Sequence, residues 1–317
     1  MSTRRRASIP GCMTALALLG GALVVTVLLT VLISPLVLAA LHGLGASTAT
    51  ADGVTIRTLQ LVAIAVTIIA LRRMGGGGRV AWGIPVRDRL LPRVLLGFVY
   101  GLLSLGAVCV LVYLSEVRVL RPDLSMHPGY WLRVVTGALI AAISVSLLEE
   151  LWFRGGLFTL LSRLGGLSWA LMGGSVLYAG AHFLDVPDGP GSEHLSSSES
   201  LGILDAAVRN IFQSKNLDSF VALLIAGITL AVVRMRQGDA AVCIGIHIGW
   251  VLTIKVFKKV TGLSGELPDL RLVGQYDSVI GWLAAACLTV MLILIWRFMR
   301  PTNSTRSGAQ SVTGTPE

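Results

Sequence analysis

The sequence is dominated by apolar runs of about 17 residues or more that recur along its length. A helix of roughly 20 apolar residues crosses the hydrocarbon core of a bilayer, about 30 Å thick. In lipid such runs must be helical, because a helix satisfies its own backbone hydrogen bonds. The candidate spans lie at 12–41, 54–71, 91–114, 132–157, 167–187, 217–233, 240–257 and 278–299. The sequence therefore predicts an all-α fold, a polytopic membrane bundle of about eight transmembrane helices.

The composition supports this class and argues against others. The chain is 54% hydrophobic and 14% charged, whereas about 25% of the residues in a soluble domain are charged. The net charge of +9 does not indicate nucleic-acid binding, because the arginines lie in short segments between apolar runs, where they act as topology signals. We therefore expect the chain to have the lipid bilayer, and no nucleic acid, as a partner.

The distribution of basic residues predicts the orientation. Arg4–Arg6 precede the first run, and further arginines cluster at 72–93, between the second and third runs. The opposite connections contain fewer basic residues, and the longest of them, 184–216, is acidic. Because basic connections stay in the cytoplasm, both termini are predicted to be cytoplasmic. The chain is rich in Arg and poor in Lys, which is typical of a bacterial protein, so we expect it in the bacterial inner membrane.

Three charged residues lie at the end of one apolar run, in SVSLLEELWFRGGLFTLLSRLG at 144–165. Ionisable groups in hydrocarbon are costly unless they pair or serve a function. Glu150 and Arg154 are four residues apart and can neutralise each other on one helix face. Glu149 lies about 100° around the helix and finds no partner there. The trio is therefore either a charge cluster at the membrane interface or a site at which other elements meet Glu149.

Two histidines lie within other apolar runs. His182 is in the fifth run, with Tyr178 one turn before it, and His247 is in the seventh. A single His on an apolar helix is more often a packing residue than a ligand or a catalyst. Two of them, together with an unpaired Glu, indicate a site, because intramembrane ionisable residues normally face the bundle interior and one another.

These groups can meet only if the fourth helix is long. Nothing ends it decisively before 164–167, so we predict a helix from Trp131 to Arg163 with Glu149 near its middle. Glu149, His182 and His247 then lie at similar depths. The sequence therefore predicts a polar cavity within the membrane.

A Glu and two histidines around such a cavity suit hydrolysis of an amide bond. The carboxylate can act as general base for water, one His can orient that water, and the other can stabilise the oxyanion. Glu149, His182 and His247 would also satisfy three positions of a divalent metal such as zinc. The chain has no HExxH motif, which favours water activated by Glu over a tightly held zinc, so no cofactor is firmly expected.

Three motifs occur in the order in which the CPBP family of intramembrane proteases has them: EExxxR at 149–154, an aromatic residue (Tyr178) before His182, and a motif that begins at His247. The chain resembles this family, which includes the type II CAAX prenyl endopeptidases and bacterial relatives linked to bacteriocin processing and immunity. The resemblance covers about 130–260. Each motif alone is weak, but the three in order are specific.

The resemblance implies a role for each residue. Glu149 would activate the water, His182 would assist it, and His247 would stabilise the oxyanion. Glu150 and Arg154 would support the site. Glutamic and metal-dependent mechanisms have both been described for the family, and the sequence leaves both open.

Two positions depart from the family pattern. Tyr178 occupies a place where the family usually has Phe, and its hydroxyl adds a hydrogen-bonding group. Val251 occupies a place, four residues after His247, where many members carry Asn or an acidic residue. This change removes a candidate second oxyanion donor.

The chain then divides into N-terminal transmembrane helices at 1–130, a CPBP-like protease core at 131–260 and a C-terminal transmembrane helix at 261–301. The polar tail at 302–317 is predicted to be disordered. Lys255, Lys258 and Lys259 lie at the C-terminal end of the seventh run. Their positive charges are expected to interact favourably with the helix dipole, and their side chains to extend towards the membrane interface.

The sequence favours an intramembrane endopeptidase that cuts near the end of a membrane-associated peptide or protein. One alternative is a non-catalytic membrane partner or a bacteriocin-immunity-type protein on the same fold, which Val251 favours. Another is a transporter that uses Glu149, His182 and His247 as an ion relay. The absence of repeated halves in the sequence argues against the transporter.

Overall fold

The structure is a computed structural model, and it describes residues 12–46, 48–76, 78–84, 90–125, 127–184, 195–265 and 272–300. The predicted disordered tail, 302–317, lies outside these residues. The helices and strands are α1 (Cys12–Gly43), α2 (Ala51–Arg73), α3 (Leu90–Leu114), β1 (Arg118–Leu120), α4 (Pro128–Glu150), α5 (Phe158–Gly165), α6 (Gly174–Ala181), α7 (Ser197–Ile211), α8 (Leu217–Gln237), α9 (Ala241–Val260), β2 (Thr261–Leu263) and α10 (Trp282–Phe298). Two π-helical segments, Leu151–Leu157 and Trp169–Gly173, and a 3-10 segment, Ser214–Asn216, complete them.

The predicted all-α membrane fold is confirmed, but the count of eight spans is not. In the part of the chain that the structure describes, six helices are long and apolar enough to cross a membrane. The predicted fifth span, 167–187, forms a shorter helix that ends at Ala181, and the eighth forms α10, which has 17 residues. The protein is therefore an integral membrane protein. Its bacterial origin and the cytoplasmic position of its termini stay predictions.

The long fourth helix that the sequence predicts is present. It runs over 38 residues from Pro128 to Gly165, which is nearly 60 Å at about 1.5 Å per residue. The π-helical segment Leu151–Leu157 joins α4 to α5 without ending the helix. Its two glycines face Trp82, and a Cβ on Gly156 would lie 2.7 Å from the indole. The helix therefore passes close to the loop after α2 only because these side chains are missing.

Helices α3 and α9 pack closely through glycine pairs of the same spacing. Gly97 and Gly101 lie against the α9 backbone, and Gly245 and Gly249 lie against the α3 backbone. A Cβ at Gly249 would be 2.7 Å from the carbonyl oxygen of Phe98, closer than real Cβ atoms approach. Pairs of small residues four apart let helix backbones approach in membranes. These contacts position the segment of α9 between Gly245 and Gly249.

A short antiparallel ribbon links the far ends of the same two helices. β1, which follows α3, pairs with β2, which follows α9, with Val119 opposite Gly262. The buried Arg118 donates hydrogen bonds at 2.9 Å to the hydroxyl and to the carbonyl oxygen of Thr261. The ribbon therefore holds the C-terminal end of α9 in place, beside the lysines of its last turns.

Candidate active site

Glu150 is the buried centre of the polar cluster. Its side chain is fully buried, and its Oε1 accepts hydrogen bonds from Nδ1 of His247 at 2.8 Å and from Nη1 of Arg154 at 3.3 Å. The structure thus shows the ion pair with Arg154 that the spacing predicts. Glu150 also joins α4 to α9, because it accepts a hydrogen bond from His247 that the sequence does not predict. Because Nδ1 donates to Glu150, Nε2 is the ring nitrogen of His247 that remains for other partners.

Glu149 faces that second nitrogen. Its Oε2 lies 3.9 Å from Nε2 of His247, too far for a direct hydrogen bond. This oxygen is buried and has no hydrogen-bond partner among the described residues, although 29% of the side chain is exposed. The two glutamates therefore act on opposite sides of one imidazole, Glu150 on Nδ1 and Glu149 beside Nε2.

His182 reaches the site from the end of α6. Its Nδ1 lies 2.8 Å from the carbonyl oxygen of Tyr178, and a carbonyl oxygen only accepts, so Nδ1 carries the proton. The lone pair of the neutral ring is therefore on Nε2. The ring packs edge-on against that of Tyr178, with ring centres 4.7 Å apart. The ring centre of Tyr178 is also 6.2 Å from that of His247. The ring of Tyr178 thus lies next to both histidines.

Arg154 connects the cluster to α8. Its guanidinium lies 4.2 Å from the ring centre of Tyr178 and donates to the carbonyl oxygen of Gly227 at 3.3 Å. Its own carbonyl oxygen lies in the π-helical segment and accepts a hydrogen bond from Nε of Arg234 at 2.8 Å. Local π-helical turns often occur at functional sites, and here the turn follows directly on Glu150.

A cavity of 580 Å³ lies beside the cluster and is lined by His182, His247 and Tyr178. Its volume falls within the range of about 300–1,000 Å³ that is usual for ligand sites. Val251 also lines it, so the position at which the family often has a polar residue presents an apolar side chain to the cavity. Next to it, Trp250 donates to the hydroxyl of Ser104 at 2.9 Å and so ties α9 to α3.

The turn before α10 closes another side of this cavity. Asp277 lies there and accepts hydrogen bonds from the backbone N–H groups of Val279 at 2.9 Å and Ile280 at 2.7 Å. Burial raises the pKa of Asp277, and these hydrogen bonds and the nearby charge of Lys258 only partly oppose the rise. No sequence pattern indicates this carboxylate, because it lies outside the three motifs.

The candidate metal ligands can be compared with the geometry that a metal requires. Among the described residues, no group of three His, Cys, Asp or Glu side chains is gathered closely enough to hold a metal ion. Nδ1 of His247 is bonded to Glu150, and Nδ1 of His182 is bonded to the Tyr178 carbonyl oxygen. These bonds leave Nε2 of each ring for a water molecule or for a metal ion. The glutamic and the metal-dependent mechanism both stay predictions.

The residues of this cluster fall within the range that matches a known family. Residues 131–253, about two fifths of the 317-residue chain, match the family model described as Rce1-like type II CAAX prenyl endopeptidase. The chain is therefore similar to this family over that segment. The match is consistent with the CPBP proteases that the motifs resemble, and it supports protease activity in general terms. No curated protein and no solved structure matches the chain.

The segment that matches the family model, 131–253, does not contain the whole site. The cavity is also lined by Asp277 from the turn before α10 and by three lysines of α9, Lys255, Lys258 and Lys259, all beyond residue 253. The sequence predicts these lysines only as interfacial side chains. Their place in the cavity depends on the course of α9, which no local pattern reveals.

Proposed function

We propose that this protein is an intramembrane endopeptidase that hydrolyses a peptide bond near the end of a membrane-associated peptide or protein. The observation that carries the proposal is the approach of Glu149 to His247: the carboxylate lies 3.9 Å from the imidazole, and His247 lines the 580 Å³ cavity. The match of residues 131–253 to the Rce1-like family supports a protease.

Glu149 is the proposed general base. Its Oε2 lacks a hydrogen-bond partner among the described residues, and a carboxylate there can accept a proton from a water molecule as the water oxygen adds to the carbonyl carbon of the peptide bond. Nε2 of His182, whose Nδ1–H is fixed by the carbonyl oxygen of Tyr178, can accept a hydrogen bond from the other O–H of that water and so orient it. The proton on Glu149 then passes to the nitrogen of the leaving amine as the C–N bond breaks.

His247 is the proposed oxyanion donor. In its protonated form, Nδ1–H donates to Glu150 and Nε2–H is available for the carbonyl oxygen that becomes negative. The water oxygen and the carbonyl oxygen end on the same carbon atom, so the base and the donor must lie side by side. The 3.9 Å between Glu149 and His247 suits that arrangement.

Glu150 and Arg154 are proposed as positioning residues. The buried Glu150 carboxylate pairs with Arg154, and the hydrogen bond that it accepts from Nδ1 of His247 fixes the plane of the imidazole. A hydrogen-bonded partner behind a functional His is a common way to set its tautomer and orientation. We therefore expect substitution of Glu150 to affect both stability and catalysis.

The test is the substitution Glu149→Gln in the full chain, expressed in its host. Gln keeps the shape of Glu but is not basic, so we expect at least one membrane peptide to accumulate uncut when the membrane peptides of variant and parent are compared by mass spectrometry. Glu116→Gln is the matched control, because Glu116 is exposed at the end of α3 and does not line the cavity. Identical peptides in the parent and in the Glu149→Gln strain, with equal protein levels, would contradict the proposal.

A non-catalytic membrane partner, such as an immunity-type protein, is the second candidate. The observation that favours it is Val251, which lines the cavity where a polar donor is common in the family. A complementation assay with Glu149→Ala and His247→Ala separates the two. Loss of the phenotype in both variants supports the peptidase, and full complementation by both supports the scaffold.

A further inference from the structure

A second cavity, of 590 Å³, lies where α2, α5 and α8 end. These helices end at Arg73, Gly165 and Gln237, and residues next to all three ends line the cavity. Part of the basic connection 72–93 contributes to it, so this is the end of the bundle that the sequence predicts to be cytoplasmic. Among the described residues, none lines both this cavity and the catalytic one, and the proposed peptidase makes no use of it.

The second cavity is positively charged. Arg163 and Arg234 line it, and no Asp or Glu in the described part of the chain does so. Only 7% of Arg234 is exposed. Neither arginine forms an ion pair with a carboxylate of the described residues. A buried charge without a partner is costly, so an anion in this cavity would be bound favourably.

Hydrogen bonds to carbonyl oxygens hold both guanidinium groups in place. Nε of Arg234 donates to the carbonyl oxygen of Arg154 at 2.8 Å, and Nη1 of Arg163 donates to that of Met74 at 2.9 Å. A guanidinium has five N–H donors, so each keeps donors for a ligand. Phosphate oxygens fit the planar donor fork of arginine. The two side chains are therefore preorganised to bind a phosphate group.

The hydroxyl groups of the cavity are already used. Thr159 donates to the carbonyl oxygen of Ala81 at 2.7 Å, and Ser162 donates to that of Thr159 at 3.0 Å. The arginines are thus the side chains with donors to spare. Val80 and Leu167 also line the cavity, and both are exposed. A ligand that contacts all of these residues has a phosphate group next to an apolar part.

We propose that this cavity binds the phosphate group of an anionic phospholipid through Arg163 and Arg234. Inorganic phosphate, or the phosphate group of a soluble molecule, presents the same oxygen atoms. The exposed Val80 and Leu167 favour the lipid, because they lie at the cavity where acyl chains would meet the protein. The inference does not depend on the proposed peptidase function.

The competing explanation is that these arginines only set the topology of the chain. A topology signal needs to reach water at the cytoplasmic face and no more. Arg73, at the end of α2, is of this kind, because it is exposed and does not line the cavity. Arg234 is buried instead and is bonded to the turn that follows Glu150. A comparison of Arg163 with Arg73 therefore separates a binding site from general attraction to an anionic membrane.

Binding is measured by native mass spectrometry of the full-length protein, released from a neutral detergent with added phosphatidylglycerol or phosphatidylcholine. We expect one phosphatidylglycerol molecule to bind about tenfold more tightly than phosphatidylcholine, whose choline group cancels the phosphate charge. Arg163→Glu reduces this ratio to about one. Arg73→Glu makes the same change of charge near the same end of the bundle and leaves the ratio at about ten.

A second variant tests the cavity without removing a charge. Gly78 lines it, and a Cβ at this position meets nothing within 4 Å, so we expect Gly78→Trp to fold and to obstruct the lipid. The ratio is again expected to fall to about one. Gly43→Trp is its control, because a Cβ at Gly43 also meets nothing within 4 Å and Gly43 does not line the cavity.

Inorganic phosphate distinguishes the two sources of the anion. We expect it not to displace phosphatidylglycerol at an equal concentration, because it lacks the apolar contacts. Displacement at equal concentration would overturn the assignment to a lipid and identify a soluble phosphate as the ligand.

Two other results would overturn the proposal. One is equal binding of the two lipids by the unsubstituted protein, and the other is an equal effect of Arg163→Glu and Arg73→Glu. If Arg163→Glu does not yield folded protein, Gly78→Trp decides, and an unchanged ratio in that variant would contradict the site. None of the substituted residues lines the catalytic cavity, so failure of this proposal leaves the peptidase unaffected.

Discussion

Helices α1 and α9 are both long enough and apolar enough to cross a membrane, but α1 is mostly exposed on the surface of the bundle and α9 is mostly buried inside it. α1 has a mean hydropathy of 2.7 with 11% of its most apolar window buried, whereas α9 has a mean hydropathy of 1.6 with 56% buried. The more apolar helix is thus the one left to lipid. Lipid tails are as apolar as Leu, so burial within a membrane bundle depends on small residues and polar contacts. α9 supplies both, through its glycines and through His247.

The largest effect is expected from breaking the close packing of α9. Gly245→Leu places a side chain where the α3 backbone lies, and because a helix backbone cannot move aside as a flexible side chain can, we expect the two helices not to pack at all. We expect no monodisperse protein in size-exclusion chromatography after detergent extraction. Gly20→Leu, in α1, is the control because a Cβ at Gly20 meets nothing within 4 Å. Normal assembly of the Gly245→Leu variant would show that the two helices are not closely packed.

A smaller but clear effect is expected from the buried ion pair. Glu150→Gln leaves the buried Arg154 without its counter-charge, and breaking a buried pair costs about 3–5 kcal/mol. Asp205→Asn removes the same i,i+4 pairing from Arg209 at the surface of α7, where both side chains are exposed, so no measurable change is expected. The free energy of unfolding of both variants is measured in mixed micelles with increasing SDS. Similar unfolding of the two variants would mean that Glu150 does not stabilise the bundle.

The smallest effect is expected at Asp277, and it depends on pH. The pKa of Asp277 is raised in the folded protein, so the folded state holds a proton that the unfolded chain releases above about pH 4. The contribution of this group to stability is therefore present at low pH and is lost as the pH rises through the raised pKa. The substitution Asp277→Asn keeps an acceptor oxygen for the N–H groups of Val279 and Ile280 but removes the titrating carboxyl.

We therefore expect the melting temperature of the Asp277→Asn variant, relative to that of the unsubstituted protein, to increase with pH over this window. Thermal unfolding in one detergent at a series of pH values measures this difference. Asp205→Asn is the control, and the difference between its melting temperature and that of the unsubstituted protein is expected to stay constant with pH. A difference that is constant with pH would mean that the carboxyl of Asp277 is not perturbed in the fold.

Much of the fold follows from local patterns. Run length predicts most of the spans, since the thickness of the hydrocarbon core sets the length of a helix. The continuous helix from Pro128 to Gly165 follows from the absence of a strong helix-ending signal before Gly166, even though Gly155 and Gly156 weaken it. The π-helical turn at those glycines does not follow, because it depends on the contact with Trp82.

The site is predicted less completely. Spacing alone gives the Glu150–Arg154 pair, and the argument that ionisable groups in lipid seek one another brings Glu149, His182 and His247 together as candidates. It does not show that Glu150 binds His247 on one nitrogen while Glu149 faces the other. The register of α9 against α4 decides that arrangement.

The sequence by itself determined that this chain enters a membrane, which residues are too polar for lipid, and the order of the three motifs. Only the tertiary structure decided which helices are buried and that the cavity reaches from His247 to Lys258. The reason is that hydropathy measures the free energy of transfer out of water. This free energy is similar for transfer into lipid and into the interior of a protein. The choice between them depends on backbone approach at glycines such as Gly245 and on hydrogen bonds between distant segments, and neither is a property of a local stretch of sequence.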